Sequence, residues 1–176
     1  VRNDFVGEKV ISSGTRVRTT VYPALIFKSG LEKDAAPGLL IRALRDPDGA
    51  NIDRVQVVKG WVDAKGKTQE RVYDAACSDE RAIKDGACDG NVGNTVDVAK
   101  ATYSNSIGAP LLETYWQDPD FDPALRAFYY VRVIEIPTPR WTTYDAVFFG
   151  IDLPDFVEPT HQERAYTSPI WYTPNG

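Results

Sequence analysis

The segment 126–141 constrains the fold more than any other part of the chain. It reads Arg-Ala-Phe-Tyr-Tyr-Val-Arg-Val-Ile-Glu-Ile-Pro-Thr-Pro-Arg-Trp and is the densest run of aromatic and β-branched residues in the sequence. Such residues favour strands, because their side chains pack well on a pleated surface. Pro137 and Pro139 cannot donate a ladder hydrogen bond, so the strand is expected to end before them. The segment therefore predicts a central strand that runs to Ile136.

Strand patterns separated by turn sequences fill most of the remaining chain. Runs of this kind lie at 15–22, 38–45, 54–62, 68–75, 109–116 and 163–173, the last interrupted at Pro169. The turns at 46–49 and 64–66 contain glycine, and the second predicts a hairpin. A helix is predicted only over 141–150. About seven strands, long loops and at most one short helix indicate an all-β fold, an antiparallel two-sheet sandwich of the immunoglobulin or fibronectin type.

Length and composition indicate the domain organisation and argue against nucleic-acid binding and against a membrane span. The 176 residues, 43% of them hydrophobic, suffice for one hydrophobic core. We assign this core to a domain over 15–176 and interpret 1–14 as a linker or a remnant of an upstream domain. Methionine is absent even from the first position, which is Val1, so a longer precursor is expected. A net charge of -5 disfavours nucleic-acid binding. No apolar run reaches the roughly 20 residues of a membrane span.

Two cysteines lie in a polar segment rich in aspartate and glycine. Cys77 and Cys88 are separated by ten residues, and neither lies in an apolar run where a buried thiol would be expected. Two unpaired surface thiols are the alternative to a disulfide. We favour the disulfide, which would stabilise the fold by about 3 kcal/mol through loop closure. It implies a periplasmic or extracellular location.

The sequence argues against catalysis by histidine. His161 is the only histidine, so a His-rich zinc site cannot form, and no Gly-x-Ser-x-Gly motif accompanies it. It lies in a polar segment and is predicted to be a solvated surface residue. We therefore predict no catalytic residue in this chain.

Alternating aspartates form a weak candidate site for calcium, which is the one cofactor that the sequence suggests. Asp118, Asp120 and Asp122 supply hard oxygen donors, but the prolines at 119 and 123 break the EF-hand pattern. The acidic groups at 46–53 and 85–89 are weaker candidates still. Turn formation is the usual explanation for such aspartates.

Aromatic and charged residues near strand ends are the candidates for binding or for an interface. These are Arg140, Trp141, Glu163, Arg164 and Trp171. A buried Arg–Glu pair that fixes the C-terminal strand is the structural alternative for Glu163 and Arg164. The larger aromatic set could line a sugar-binding face or simply form core; it comprises Trp61, Trp116, Trp141, Trp171, Tyr129, Tyr130 and Tyr172.

Several stretches resemble the C-terminal part of a known family. They are 10–18, 53–61, 92–97, 103–109, 128–146 and 162–174, and they occur in the same order as in that family. The family comprises large bacterial secreted or envelope proteins of unknown function, whose N-terminal part is similar to PHP-type metal-dependent phosphoesterases. Its presumed metal ligands precede the region present here, so the resemblance transfers no catalytic residue. The cysteine pair departs from the family pattern and supports export.

The resemblance leads to three functional hypotheses. The first is a non-catalytic C-terminal β domain of a larger metal-dependent-hydrolase-like protein, which packs on the missing part, binds a fragment of the same precursor or self-assembles. The second is an independent carbohydrate- or partner-binding module of the cell envelope. In the third, Arg140, Glu163 and Arg164 support an active site in a partner.

Overall fold

The computed structural model describes the backbone of residues 20–26 and all of residues 36–174, which form antiparallel sheets and one helix. The first sheet has the order β1 (Thr20–Ile26), β2 (Gly38–Leu44), β7 (Leu111–Gln117). The second has the order β8 (Ala127–Glu135), β3 (Ile52–Val62), β4 (Thr68–Cys77), and the outer edge of β8 pairs with β11 (Arg164–Tyr166) and β12 (Ile170–Tyr172). The smaller elements are β5 (Ile83–Lys84), β6 (Ala87–Cys88), β9 (Thr138–Pro139), β10 (Thr160–His161) and α1 (Trp141–Phe149).

The core lies between the two sheets. Alternate residues of β8 are buried, because successive side chains of a strand point to opposite faces. Tyr129, Val131 and Val133 form one cluster with Leu39 and Ile41 of the first sheet. This arrangement confirms the predicted all-β, sandwich-like fold and the interior position of β8, which pairs with strands on both sides.

Turn chemistry explains how neighbouring strands connect. The N–H of Gly49 donates to the carbonyl of Asp46 over 2.9 Å and closes the predicted turn after β2. The β3–β4 hairpin closes at Gly66, which has a φ of 77° and donates to the carbonyl of Asp63 over 2.9 Å. Glycine reaches this left-handed conformation without the steric penalty of a Cβ atom. The predicted hairpin is therefore confirmed.

Differences from the predicted elements are confined to short pieces and to strand boundaries, which for the strands predicted at 54–62, 68–75 and 109–116 move by one or two residues. The strand predicted over 15–22 begins at Thr20 in the described residues, and 15–19 lie outside them, as does the proposed boundary near residue 14. The split of the closing strand near Pro169 is confirmed by β11 and β12. The two-residue strands β5, β6, β9 and β10 are too short to show a period in the sequence.

The predicted helix is present and ends at Gly150, which adopts the left-handed conformation with a φ of 64° and donates its N–H to the carbonyl of Ala146. Within 20–26 and 36–174, no helix is long and apolar enough to cross a membrane.

Candidate functional site

The first candidate surface is formed by α1 and the segment that follows it. Seven large side chains there are exposed, which we call the helix patch: Trp141, Tyr144, Val147, Phe148, Phe149, Ile151 and Phe156. Phe148 and Phe156 are 82% and 88% exposed. The rings of Phe148 and Phe149 meet edge to face, with centroids 5.0 Å apart.

The small residues of α1 explain why its large ones face outward. The buried residues of the helix are Thr143 and Ala146, and the hydroxyl of Thr143 donates to the carbonyl of Pro159 over 2.6 Å. Short side chains at these positions attach the helix closely to the domain, while its bulky side chains stay more than 40% exposed. A helix that is apolar on its outer sides is normally covered by another part of a protein.

The second candidate surface is the outer face of the second sheet. Because the odd-numbered residues of β8 fill the core, Phe128 and Tyr130 point away from it. The strand register places Trp171 opposite Phe128, and Tyr166 opposite Arg132. We call the set Phe128, Tyr130, Tyr166 and Trp171 the aromatic face.

Ring contacts join the aromatic face into one continuous row. The rings of Phe128 and Tyr130 are parallel to within 9°, with centroids 6.5 Å apart. Trp171 contacts Phe128 at 5.3 Å, and Tyr166 contacts Tyr130 at 6.2 Å. These separations lie within the range in which aromatic pairs attract each other.

A glycine on the neighbouring strand makes room for this row. Gly60 of β3 pairs with Phe128, and a Cβ atom at Gly60 would lie 2.3 Å from Cζ of the Phe128 ring. The ring therefore extends over the backbone of β3. Grooves of about 530 and 380 Å³ flank the Phe128–Trp171 pair, and both residues line each groove.

The aromatic set considered in the sequence divides between core and surface. Trp61, Trp116 and Tyr172 pack against the core and Tyr129 lies within it, whereas Tyr130 and Trp171 belong to the aromatic face. Sequence reasoning missed Phe128 and Tyr166. The alternation along β8 would have separated Phe128 from Tyr129, but the position of Tyr166 depends on a register that the sequence does not reveal.

The predicted site residues lie at opposite ends of β8. Trp171 pairs with Phe128 near the start of the strand, whereas exposed Arg140 and Trp141 follow its end at Glu135. Glu135 lies seven positions after Phe128 along the strand, a distance of about 23 Å. The structure therefore places the two predicted tryptophans, Trp141 and Trp171, on different surfaces.

The expectation of a solvated surface histidine was wrong, and the alternative of a buried Arg–Glu pair is not observed. His161 is partly buried, its Nε2 lies 2.5 Å from Oε1 of Glu163, and its Nδ1 is buried without a hydrogen bond in the described part of the chain. Glu163 pairs with His161 and Arg164 is exposed, so the alternative of a buried Arg–Glu pair is not observed for these two residues. The carbonyl of Glu163 accepts the N–H of Glu135 over 3.0 Å, which joins this segment to β8.

Asp118, the leading calcium candidate, faces a lysine. Oδ2 of Asp118 lies 2.6 Å from Nζ of Lys59 and accepts a hydrogen bond of 2.6 Å from the hydroxyl of Tyr129. The Asp118 side chain is 0% exposed. Burial, together with the hydrogen bond to Asp118, raises the pKa of Tyr129 well above its ordinary value.

The other two aspartates of that turn have partners of their own. Asp120 pairs with Arg71 over 2.6 Å and accepts the Tyr73 hydroxyl over 2.7 Å. Burial raises the pKa of Tyr73, and the hydrogen bond to Asp120 adds to the shift. Asp122 accepts the N–H of Ala124 over 2.8 Å within the turn. Because these carboxylates serve separate protein donors, the geometry lends no support to calcium binding.

The cysteine prediction is confirmed by a disulfide. Cys77 and Cys88 are bonded, with Cα atoms 5.9 Å apart, and the N–H of Cys88 donates to Asp74 over 2.7 Å. In the described ranges, these three residues are the one group of three or more potential metal ligands that lie close together. The disulfide removes both thiolates, so this group offers a metal little more than one carboxylate.

Comparison with known proteins supplies a family and nothing closer. No curated protein and no solved structure matches the chain. A family model described as a protein of unknown function (DUF3604) matches residues 8–174, which is nearly the whole chain. The chain therefore belongs to the DUF3604 family.

Proposed function

We propose that this chain is a non-catalytic β domain of a larger bacterial protein, and that it packs through the helix patch against a metal-dependent-hydrolase-like part of that protein. The exposure of seven large hydrophobic side chains on α1 and residues 150–156 is the observation that carries the proposal. Soluble monomers rarely expose large contiguous apolar patches unless the patch binds something.

Charge around the helix patch indicates the chemistry of the surface that covers it. Residues 141–158 contain four acidic side chains, all exposed, and no lysine or arginine: Asp145, Asp152, Asp155 and Glu158. An apolar centre with a charged rim is the usual anatomy of a protein interface. Exposed Arg140 adjoins the patch at Trp141, but acidic groups predominate. The covering surface is accordingly apolar at its centre and mostly basic around it, since complementary charges favour association.

The remaining chemistry supports a role in assembly outside the cytoplasm. In the described residues the aspartates at 118–122 are occupied by protein partners, and the one compact ligand group contains a disulfide. The Cys77–Cys88 bond is typical of periplasmic and extracellular proteins. The domain thus stabilises or walls the neighbouring part rather than reacting with its substrate.

A binding experiment with the hydrolase-like part tests the proposal. That part is produced separately and titrated with this chain by calorimetry. Phe148→Ser should weaken binding about 30-fold, the loss expected when a central aromatic anchor is removed. The same change should leave the stability of the isolated chain nearly unaltered, because Phe148 is exposed there. Tyr115→Ser is the control, since Tyr115 is exposed on the first sheet.

Four outcomes would overturn the proposal. The first is the absence of binding between the two parts, and the second is equal binding by the Phe148→Ser variant. The third is self-association of this chain through the helix patch while the hydrolase-like part is present, because the patch would then not bind that part. Metal-dependent phosphoesterase turnover by this chain alone would disprove the non-catalytic role.

A further inference from the structure

We propose that the aromatic face binds an oligosaccharide in two adjacent subsites, one on either side of the Phe128–Trp171 pair. The grooves of about 530 and 380 Å³ fall within the size range of small-molecule binding sites. Because the same two rings line both grooves, a ligand that fills one reaches the other directly. This arrangement suits a chain of repeating units better than a single compact molecule.

The rings offer a platform that changes little when a ligand binds. Trp171 is 72% exposed, yet its position is fixed by the pairing of β12 with β8 and by its contact with Phe128. The C–H groups on a pyranose face are apolar and pack on such rings, while the sugar hydroxyls stay free to hydrogen bond. A preorganised aromatic surface keeps the entropic cost of binding low.

Polar side chains at the rim of the larger groove distinguish a sugar from other ligands. Glu70 and Arg126 line this groove, and in the described part of the chain neither side chain has a hydrogen bond or ion pair. Thr68 and Thr173 add hydroxyl groups to the same rim. Carboxylate and guanidinium groups each present two polar atoms in a plane, which matches pairs of neighbouring sugar hydroxyls.

A proline-rich peptide is the other ligand that aromatic grooves commonly bind, and the rim disfavours it. Proline has no N–H, so such a peptide offers few donors to the carboxylate of Glu70. A sugar hydroxyl both donates and accepts, and it satisfies Glu70 and Arg126 alike. The helix patch is different, since residues 141–158 carry acidic groups alone and Arg140 adjoins the patch only at one end. The two surfaces therefore differ in ligand class.

Calorimetry and affinity electrophoresis with defined glycans test this proposal. The probes are hexasaccharides and disaccharides of β-1,4-linked glucose, xylose and N-acetylglucosamine, with decaproline as the competing ligand. At least one hexasaccharide should bind, and it should bind at least tenfold more tightly than its disaccharide because it spans both subsites. Trp171→Ala should weaken this binding at least tenfold. Trp141→Ala is the matched control, since Trp141 is an exposed tryptophan of the helix patch, and it should leave the affinity unchanged.

A second variant protects the test against a folding defect. Arg126→Gln changes an exposed side chain without a partner in the described residues, so it should keep the melting temperature and weaken binding about fivefold. Failure of all three hexasaccharides to bind the wild-type chain would overturn the proposal. Equal weakening by Trp141→Ala, or tighter binding of decaproline, would overturn it too.

Discussion

Replacement of Lys59 by methionine measures what the buried ion pair contributes to the free energy of unfolding. Nζ of Lys59 lies 2.6 Å from Asp118 and 2.7 Å from the carbonyl of Asp120. Methionine keeps most of the apolar stem that packs near Trp61, whose ring centroid is 5.1 Å from Nζ. Asp118 would then remain buried with only the Tyr129 hydroxyl and one backbone N–H as donors. A buried charge left in this way costs about 3–5 kcal/mol.

Urea unfolding at pH 7, followed by tryptophan fluorescence, measures that cost. The midpoint should fall by about 1–2 M, given the slope expected for a chain of this size. Lys84→Met is the matched control, because Lys84 also lies 2.6 Å from an aspartate but both partners are exposed. It should cost less than about 1 kcal/mol. Equal losses in the two variants would refute the argument, since burial would then not decide the strength of the pair.

Two further predictions concern the disulfide and the buried tyrosines. Replacing Cys77 and Cys88 by alanine should lower the free energy of unfolding by about 3 kcal/mol, because the short loop is no longer closed. Urea titration measures this loss, and an unchanged unfolding midpoint would contradict it. Burial raises the pKa of Tyr73 and Tyr129 above the ordinary value of about 10 that tyrosine has in the unfolded chain. The stability that their neutral forms provide is therefore complete below about pH 10, and it is lost as the pH rises further. Absorbance at 295 nm should show these two ionising only at more alkaline pH than the exposed tyrosines, and a single step near pH 10 for all nine would argue against it.

The strands that carry the core were predictable, because their signals are local. The alternation and the prolines around β8 define that strand almost to the residue, and the glycine turn defines the β3–β4 hairpin. The disulfide followed from two cysteines in a polar loop. Each of these inferences needs only neighbouring residues.

The candidate surfaces were predicted only in part, because they depend on distant pairing. Trp141 and Trp171 were both recognised, but the sequence gives no sign that they lie at opposite ends of β8. The row formed by Phe128 and Tyr166 exists only through the register of the closing strand. His161 was misjudged although its partner Glu163 is only two positions away, because the polar neighbours in sequence did not show that both side chains are partly buried.

The divided closing strand also determines where the sheet resists other chains. An open sheet edge with a regular row of backbone donors and acceptors can recruit a strand from another molecule and start a fibril. Here the edge is broken between Tyr166 and Ile170. Within the break, the N–H of Val131 donates to the hydroxyl of Thr167, and the carbonyl of Val131 accepts the N–H of Thr167. Pro169 has no N–H to offer to another strand. This break discourages strand addition along that edge, so the domain can display exposed aromatic rings nearby with less risk of aggregation.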